Sequence, residues 1–301
     1  MIRLIVAIAI FFNCFLSLQA KAIQIPHALQ SVTVKELSGT KGVAESVKLW
    51  TLGNRDNINY IWIIFHGDSP KFYTDELAGD RLKLHKKLLS QNKGAILIQP
   101  KSLPSRAFGV MAGQGWADIY GRGQAAQKMT LRRKEFGSMI VKIFRQFEKR
   151  LKNRSLKLQT VSFSGSGRID RAFHEFLLWG YDQDNNDLLR VKELINNNLY
   201  SVAACDSMVN NSFDDASQKP LVKSWVSFLK SFPRVKTTLI HDQERTYPYM
   251  ADMIQEILQK YTQSKVTLPM RATRYNNRLK VTSGKGHMGT FIGMLDQVLF
   301  W

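Results

Sequence analysis

The sequence predicts a three-layer α/β fold, in which a mostly parallel central sheet carries helices on both faces. Short runs that are apolar on both faces, such as 59–65 and 158–163, are typical of strands buried in a covered parallel sheet. These runs alternate with helical patterns that are apolar on one side only. Such alternation of strand and helix favours a parallel sheet with helices packed on it.

The elements follow one another along the chain. Strands are predicted at 59–65, 95–98, 158–163, 200–205, 237–240 and within 270–281, and most of them end in polar or small residues. Helices are predicted at 75–90, 136–151, from Ile169 onward and at 290–300. The stretch 100–129 is rich in glycine, contains Trp116 and Tyr120, and has no period. We expect a long surface loop there, which either borders a pocket or packs as cover.

The amino terminus has the pattern of a secretory signal. Arg3 is followed by an apolar run to Leu18 and by the small-residue pattern Ala20-Lys21-Ala22, so residues 1–22 are predicted to be cleaved. The apolar run is shorter than the roughly 20 residues that a membrane span needs. We therefore expect a secreted or periplasmic protein.

Cysteine content and charge set further expectations. Removal of the signal leaves Cys205 as the only cysteine, so no internal disulfide can form and a packed core must stabilise a single domain at 23–301. The formal charge of +19 falls to about +17 without Arg3 and Lys21. In an envelope compartment, this charge favours an acidic envelope polymer or a membrane surface as a partner over nucleic acid. A basic, well-solvated surface explains the same charge.

Ser164 is the candidate nucleophile. It follows an apolar strand and precedes a helical pattern in Ser162-Phe163-Ser164-Gly165-Ser166-Gly167, which is typical of a sharp strand-to-helix turn. Such a turn needs small residues around the serine, because a larger side chain would clash with the backbone. Ser162, Ser166 and Gly167 meet this requirement.

At this point the chain resembles the α/β-hydrolase superfamily, over nearly the whole sequence after the signal. The resemblance is one of pattern: His66-Gly67 maps onto the turn that helps to form the oxyanion hole, and Ser164 maps onto the nucleophile. Serines replace the usual glycines on either side of the nucleophile. The resemblance implies a serine hydrolase in which nucleophile, acid and histidine follow in that order.

A serine nucleophile needs a base, and the base needs an acid that orients it. His287, in the glycine-bearing loop after the last strand, is the candidate base, and His241 is an alternative at another strand end. Asp206 ends a largely apolar strand and is the first candidate acid. Asp242 and Glu244 are alternatives, since they follow the next strand, which is the more common acid position in the family that the chain resembles.

The backbone N–H groups of Gly165 and of Gly67 or Asp68 are the predicted oxyanion donors. Nothing in the sequence indicates a cofactor or a zinc site. The segment from Asp182 to Glu193 resembles a calcium-binding loop, but Asp187 replaces its usual glycine, and a polar loop before a helix explains the same residues. The sequence thus predicts an esterase or lipase-like enzyme that cleaves a small-molecule or lipid ester. The alternative is a non-catalytic protein of the same fold that binds an envelope polyanion.

Overall fold

Nine strands in the described part of the chain form one sheet. The computed structural model describes residues 32–33, 44–66, 77–102, 137, 139–145, 147–149, 151–152, 156–179, 186–207, 215–246, 248–269 and 272–300. The strands, in chain order, are β1 Val32–Thr33, β2 Ala44–Gly53, β3 Ile58–Phe65, β4 Gly94–Ser102, β5 Lys157–Phe163, β6 Leu199–Cys205, β7 Lys236–Asp242, β8 Thr273–Arg274 and β9 Leu279–Gly284.

The sheet order is β1-β2-β4-β3-β5-β6-β7-β9-β8. The six strands from β4 to β9 in that order run parallel, and the pairs β1–β2, β2–β4 and β8–β9 are antiparallel. The predicted mostly parallel sheet is therefore confirmed. Because β5 lies at its centre, the residue that follows β5 lies at the middle of the carboxyl edge.

The labelled helices connect these strands or follow them. They are α1 Ala78–Ser90, α2 Gly167–Trp179, α3 Asn186–Asn198, α4 Asp215–Ser231, α5 Pro248–Thr262, α6 Gly286–Gly289 and α7 Leu295–Leu299, and residues 139–145 and 147–149 are also helical. On one face, Ile61, Ile63 and Phe65 of β3 belong to a core that includes apolar residues of α2 to α5. On the other face, Trp62 packs on Phe300 next to α7, at a ring distance of 5.7 Å. The predicted three-layer arrangement is confirmed.

Gln159 of β5 ties together distant parts of the chain inside this second face. Its Oε1 accepts a hydrogen bond from Trp62 Nε1 at 2.7 Å. Its Nε2 donates to Ser201 Oγ at 2.6 Å and to the carbonyl oxygen of Leu299 at 3.0 Å. The side chain is fully buried, and its hydrogen bonds join β3, β5 and β6 to the last residue of α7.

Two predicted elements differ from the structure. The final helix was expected over 290–300, but it begins at Leu295, because Gly293 adopts a left-handed backbone with φ of +77°. The strand expected within 270–281 is divided into β8 and β9 by a turn in which Asn276 Oδ1 accepts hydrogen bonds from the backbone of Arg278 and Leu279. Residues 1–31, which include the predicted signal, lie outside the described residues, as does the loop with Trp116 and Tyr120.

Candidate active site

The turn between β5 and α2 has the backbone that the candidate nucleophile requires. Ser164 adopts φ of +52°, in the left-handed region that side-chain-bearing residues rarely occupy. It begins a short 3₁₀ turn, Ser164–Ser166, that leads directly into α2. Ser164 is partly exposed, whereas the strand before it is buried from Leu158 to Phe163. The turn thus lifts one hydroxyl out of the core at the carboxyl edge of the sheet.

The two serines that replace the usual glycines both make hydrogen bonds. Ser166 Oγ accepts from the backbone N–H of Phe163 at 2.6 Å and donates to the carbonyl oxygen of the same residue at 2.7 Å. This contact closes the turn around Ser164. The Ser162 side chain is buried, with 1% exposed. Its Oγ lies within hydrogen-bond distance of Asp170 Oδ2, the carbonyl oxygen of Ala203 and Ser207 Oγ. Serine at these positions therefore supplies polar contacts that glycine lacks.

Ser162 belongs to a buried network that sequence reasoning missed. Its hydroxyl donates to Asp170 Oδ2 of α2 at 2.6 Å, and Ser207 Oγ donates to the same oxygen at 3.0 Å. The two serine hydroxyls lie 2.9 Å apart. Burial raises the pKa of Asp170 to about 8, against the opposing effect of hydrogen bonds from Ser162 and Ser207. Asp170 is therefore mostly protonated at neutral pH, directly behind the turn that carries Ser164.

The acids at the ends of β6 and β7 differ in their surroundings. Asp206 is 0% exposed and adopts φ of +44°, and its backbone N–H donates to the carbonyl oxygen of Ile240 at 2.7 Å. Asp242 is also buried, but its two carboxylate oxygens accept hydrogen bonds from the backbone N–H groups of Glu244 at 2.8 Å and Thr246 at 2.7 Å. Asp242 therefore stabilises the turn after β7.

The segment that carries His287 passes across the carboxyl edge from β7 towards β5. At one end, a methyl group added to Gly286 would lie 3.3 Å from Glu244 Oε2, so the Glu244 carboxylate lies beside the start of α6. At the other end, the ring of Phe291 stacks on that of Phe163, with centroids 4.6 Å apart. The backbone of His287 thus lies between a contact with the end of β7 and a contact with the end of β5. The His287 side chain lies outside the described residues.

Two other side chains at this edge have clear structural roles. His241, the alternative base, is buried, and its Nε2 donates to the carbonyl oxygen of Pro269 at 2.9 Å. Burial, with the nearby Asp170 and Asp206 carboxylates, raises the pKa of the Cys205 thiol, which is 0% exposed. Cys205 is therefore a neutral core residue rather than a nucleophile.

The remaining predicted site residues are only partly described. Gly165 lies in the 3₁₀ turn after Ser164, whereas Gly67 and Asp68 lie outside the described residues. Residues 182–185 of the calcium-like segment also lie outside them. Asp187 pairs with Arg145 and Arg190, and Glu193 is exposed on α3. Within the described ranges, no group of three or more His, Cys, Asp or Glu side chains is placed to hold a metal ion.

Solved structures share this architecture at low sequence identity. An IroE-like serine hydrolase from Shewanella oneidensis has a TM-score of 0.54 and 11% identity, over 90% of this chain and 78% of that one. The BES protein from Bacillus cereus has a TM-score of 0.50 and 12% identity, over 91% of this chain and 94% of that one. No protein-family model matches the sequence, and no curated protein does.

The sheet order, the left-handed turn after β5 and these neighbours together define the fold as that of the α/β hydrolases. The resemblance predicted from the sequence is confirmed at the level of the fold. None of the described helices has the length and apolar character that a membrane span requires.

Proposed function

We propose that the protein is a serine hydrolase that cleaves esters through an acyl-enzyme on Ser164. The observation that carries the proposal is the left-handed, partly exposed Ser164 between β5 and α2. A backbone of this kind is costly, and in this fold it serves to present a nucleophile. The neighbour from Shewanella oneidensis is described as a serine hydrolase, which is consistent with this activity.

In the proposed mechanism, Ser164 Oγ attacks the carbonyl carbon of the ester while His287 takes its proton. The carbonyl oxygen becomes an oxyanion, stabilised by the backbone N–H of Gly165 and by that of Gly67 or Asp68. The intermediate then collapses: the carbon–oxygen bond to the leaving alcohol breaks, and the alcohol takes the proton from His287. A water molecule, deprotonated by His287, hydrolyses the acyl-enzyme and restores Ser164.

We propose Asp206 as the acid that orients His287. β6 lies between β5 and β7, so Asp206 lies at the strand end between the two contacts that flank the His287 segment. Asp242 already binds two backbone N–H groups of its own turn. Glu244 lies beside Gly286 and is exposed to solvent, which weakens its hold on an imidazolium.

The proposed substrate is a small-molecule or lipid ester, in preference to an amide. The proposed location is the periplasm or the medium, because of the predicted signal. The net charge, which is about +17 once Arg3 and Lys21 are removed with the signal, supports action near an acidic envelope polymer or membrane surface. The same charge would attract nucleic acid, and the proposed location outside the cytoplasm is the reason to prefer envelope polyanions.

Fluorophosphonate labelling of the purified protein tests the nucleophile. We expect one adduct, mapped to Ser164 by mass spectrometry, and none in the Ser164→Ala variant. The matched control is Ser224→Ala, since Ser224 is a buried serine of α4 whose hydroxyl donates to the carbonyl oxygen of Leu221. Absence of labelling in folded protein would refute the hydrolase proposal and favour the non-catalytic polyanion-binding protein.

A second pair of variants tests the acid. With p-nitrophenyl butyrate as substrate, Asp206→Asn should lower kcat by about 10³- to 10⁴-fold, because the imidazole loses its tautomer and orientation. Glu244→Gln should change kcat by less than about threefold, because an exposed carboxylate interacts weakly through solvent. The reverse ranking would assign the acid role to Glu244 and leave Asp206 as a structural residue.

A further inference from the structure

A basic cluster lies at the amino edge of the sheet, opposite the candidate active site. Lys157 begins β5, Tyr200 is the second residue of β6, and Lys236 begins β7. These three strands are neighbours in the sheet, so the three side chains start from adjacent positions. Each strand rises about 3.3 Å per residue, which places Lys157 about 23 Å from Ser164 along the direction of β5.

Both lysines converge on the same phenol. The Nζ atoms of Lys157 and Lys236 lie 4.2 Å and 4.9 Å from the centroid of the Tyr200 ring. Burial by itself would raise the pKa of Tyr200, but hydrogen bonds from Lys236 and Lys157 and their positive charges outweigh it and lower that pKa. All three side chains are partly exposed. Two ammonium groups therefore lie against one partly exposed tyrosine ring.

The surrounding loops add positive charge. The described loops that precede β3, β4, β7 and β9 contain Arg55, Lys93, Arg234 and Arg278, against Asp56 as their one carboxylate. Arg278 lies next to the start of β7, since its carbonyl oxygen accepts from the backbone N–H of Thr237 at 2.6 Å. The four described loops are thus cationic, and such a field concentrates anions near the cluster.

We propose that Lys157, Tyr200 and Lys236 form a binding site for a phosphate group. Ammonium groups bind phosphate oxygens through charge-assisted hydrogen bonds, and a phenolic hydroxyl supplies a further donor. The Tyr200 ring fixes the two lysine side chains, which reduces the entropy lost when an anion binds. Because the site lies at the edge opposite Ser164, a bound phosphate leaves the candidate active site accessible.

Inorganic phosphate is the first probe, titrated into the purified protein at constant ionic strength and followed by calorimetry. We expect saturable binding that the double variant Lys157→Gln/Lys236→Gln weakens by about tenfold for each lysine. Tyr200→Phe keeps the ring and loses one donor, so a loss of about threefold is expected. The matched control is Lys223→Gln/Lys260→Gln, which removes the same charge from helices α4 and α5 and should change binding by less than about twofold.

A second arm distinguishes a free phosphate from a lipid headgroup. Vesicles of phosphatidylcholine with and without phosphatidylglycerol are sedimented with the same variants. If the protein binds free phosphate and the cluster variant binds it more weakly, the site is supported and its ligand is a free phosphate. If the protein binds only the anionic vesicles and the cluster variant binds them more weakly, the site is supported and its ligand is a lipid headgroup. Absence of binding to both probes, or equal weakening by the control pair, overturns the proposal.

The readout is independent of the proposed hydrolase. Ser164→Ala should bind phosphate as the unmodified protein does, and the cluster variant should still react with fluorophosphonate. If the unmodified protein binds phosphate but is not labelled by fluorophosphonate, the result counts against the hydrolase alone.

Discussion

Asp170 shows how one side chain can make the candidate site sensitive to pH. Its carboxyl group is enclosed by Ser162 and Ser207, which lie on β5 and directly after Asp206. In protonated form it fits this pocket without a buried charge. Ionisation would place a negative charge behind the strand that carries Ser164, in surroundings that cannot solvate it.

This arrangement predicts a stability change with pH. The pKa of Asp170 is about 8 in the folded protein and about 3.8 in the unfolded chain, so its stabilising contribution is complete below pH 3.8 and is lost as pH rises through 8. Asp170→Asn should remove this dependence. The difference in unfolding free energy between the two proteins should change by about 1.4 kcal/mol per pH unit between pH 5 and 7.

Urea unfolding at pH 5, 6, 7 and 9 measures this difference. Asp252→Asn is the control, since Asp252 is an exposed acid of α5 that lies away from the network. Parallel pH profiles for the unmodified protein and Asp170→Asn would show that Asp170 is ionised when folded.

The turn that carries Ser164 could be predicted from the sequence, but the hydrogen-bond network behind it could not. The pattern around Ser164 is local: an apolar strand, small residues and a helix within a few positions. The Ser162–Asp170–Ser207 contact needs β5, α2 and the end of β6 to meet, and no local pattern encodes that meeting. One sequence feature hinted at the network: Asp170 lies beside Ile169 and near Phe173, on the apolar side of α2, where an acidic residue is unusual.

At the scale of elements, α2 packs against α4 through a histidine, His174, at a position where an apolar aromatic side chain would fit. The ring of His174 stacks on Phe228 at 4.2 Å and meets Trp225 edge-on at 4.3 Å. Within the described part of the chain, neither ring nitrogen has a hydrogen-bond partner. Burial lowers the pKa of His174 to about 3.

Low pH should therefore reduce the free energy of unfolding, because His174 is buried between α2 and α4. Between pH 6.5 and 3, the unfolded chain binds a proton at His174 that the folded protein excludes, so stability falls as pH falls through this window. His174→Phe should flatten this part of the profile. Thermal melts of both proteins at pH 4, 5 and 7 check this prediction, and an unchanged acid slope in His174→Phe would contradict it.

Strands were easier to predict than their connections. The central parallel strands are apolar on both faces, so their sequence identifies them without knowledge of the partner strands. β2 was missed because its buried residues, such as Val47, Trp50 and Leu52, do not alternate regularly with polar ones. The final helix was predicted too long because its apolar spacing continues through Gly293, where the backbone turns.

At the scale of the whole molecule, the Gln159 contacts connect the central strands β3, β5 and β6 to the carboxyl-terminal helix α7. Gln159→Leu would leave Trp62 Nε1, Ser201 Oγ and the Leu299 carbonyl oxygen without this partner. We expect a loss of about 3 kcal/mol or more in unfolding free energy, since each unsatisfied buried group costs about 1–3 kcal/mol. Urea unfolding measures it, and Gln297→Leu on the exposed side of α7 is the control. A loss below about 1 kcal/mol would show that the contacts are replaced.

The hydrogen bond from Gln159 to Leu299 joins residues that are 140 positions apart in the chain. Because so long a loop must close before this contact can form, the entropy of closing it opposes early formation of the contact. We therefore expect the layer in which Phe300 covers Trp62 to form late in folding.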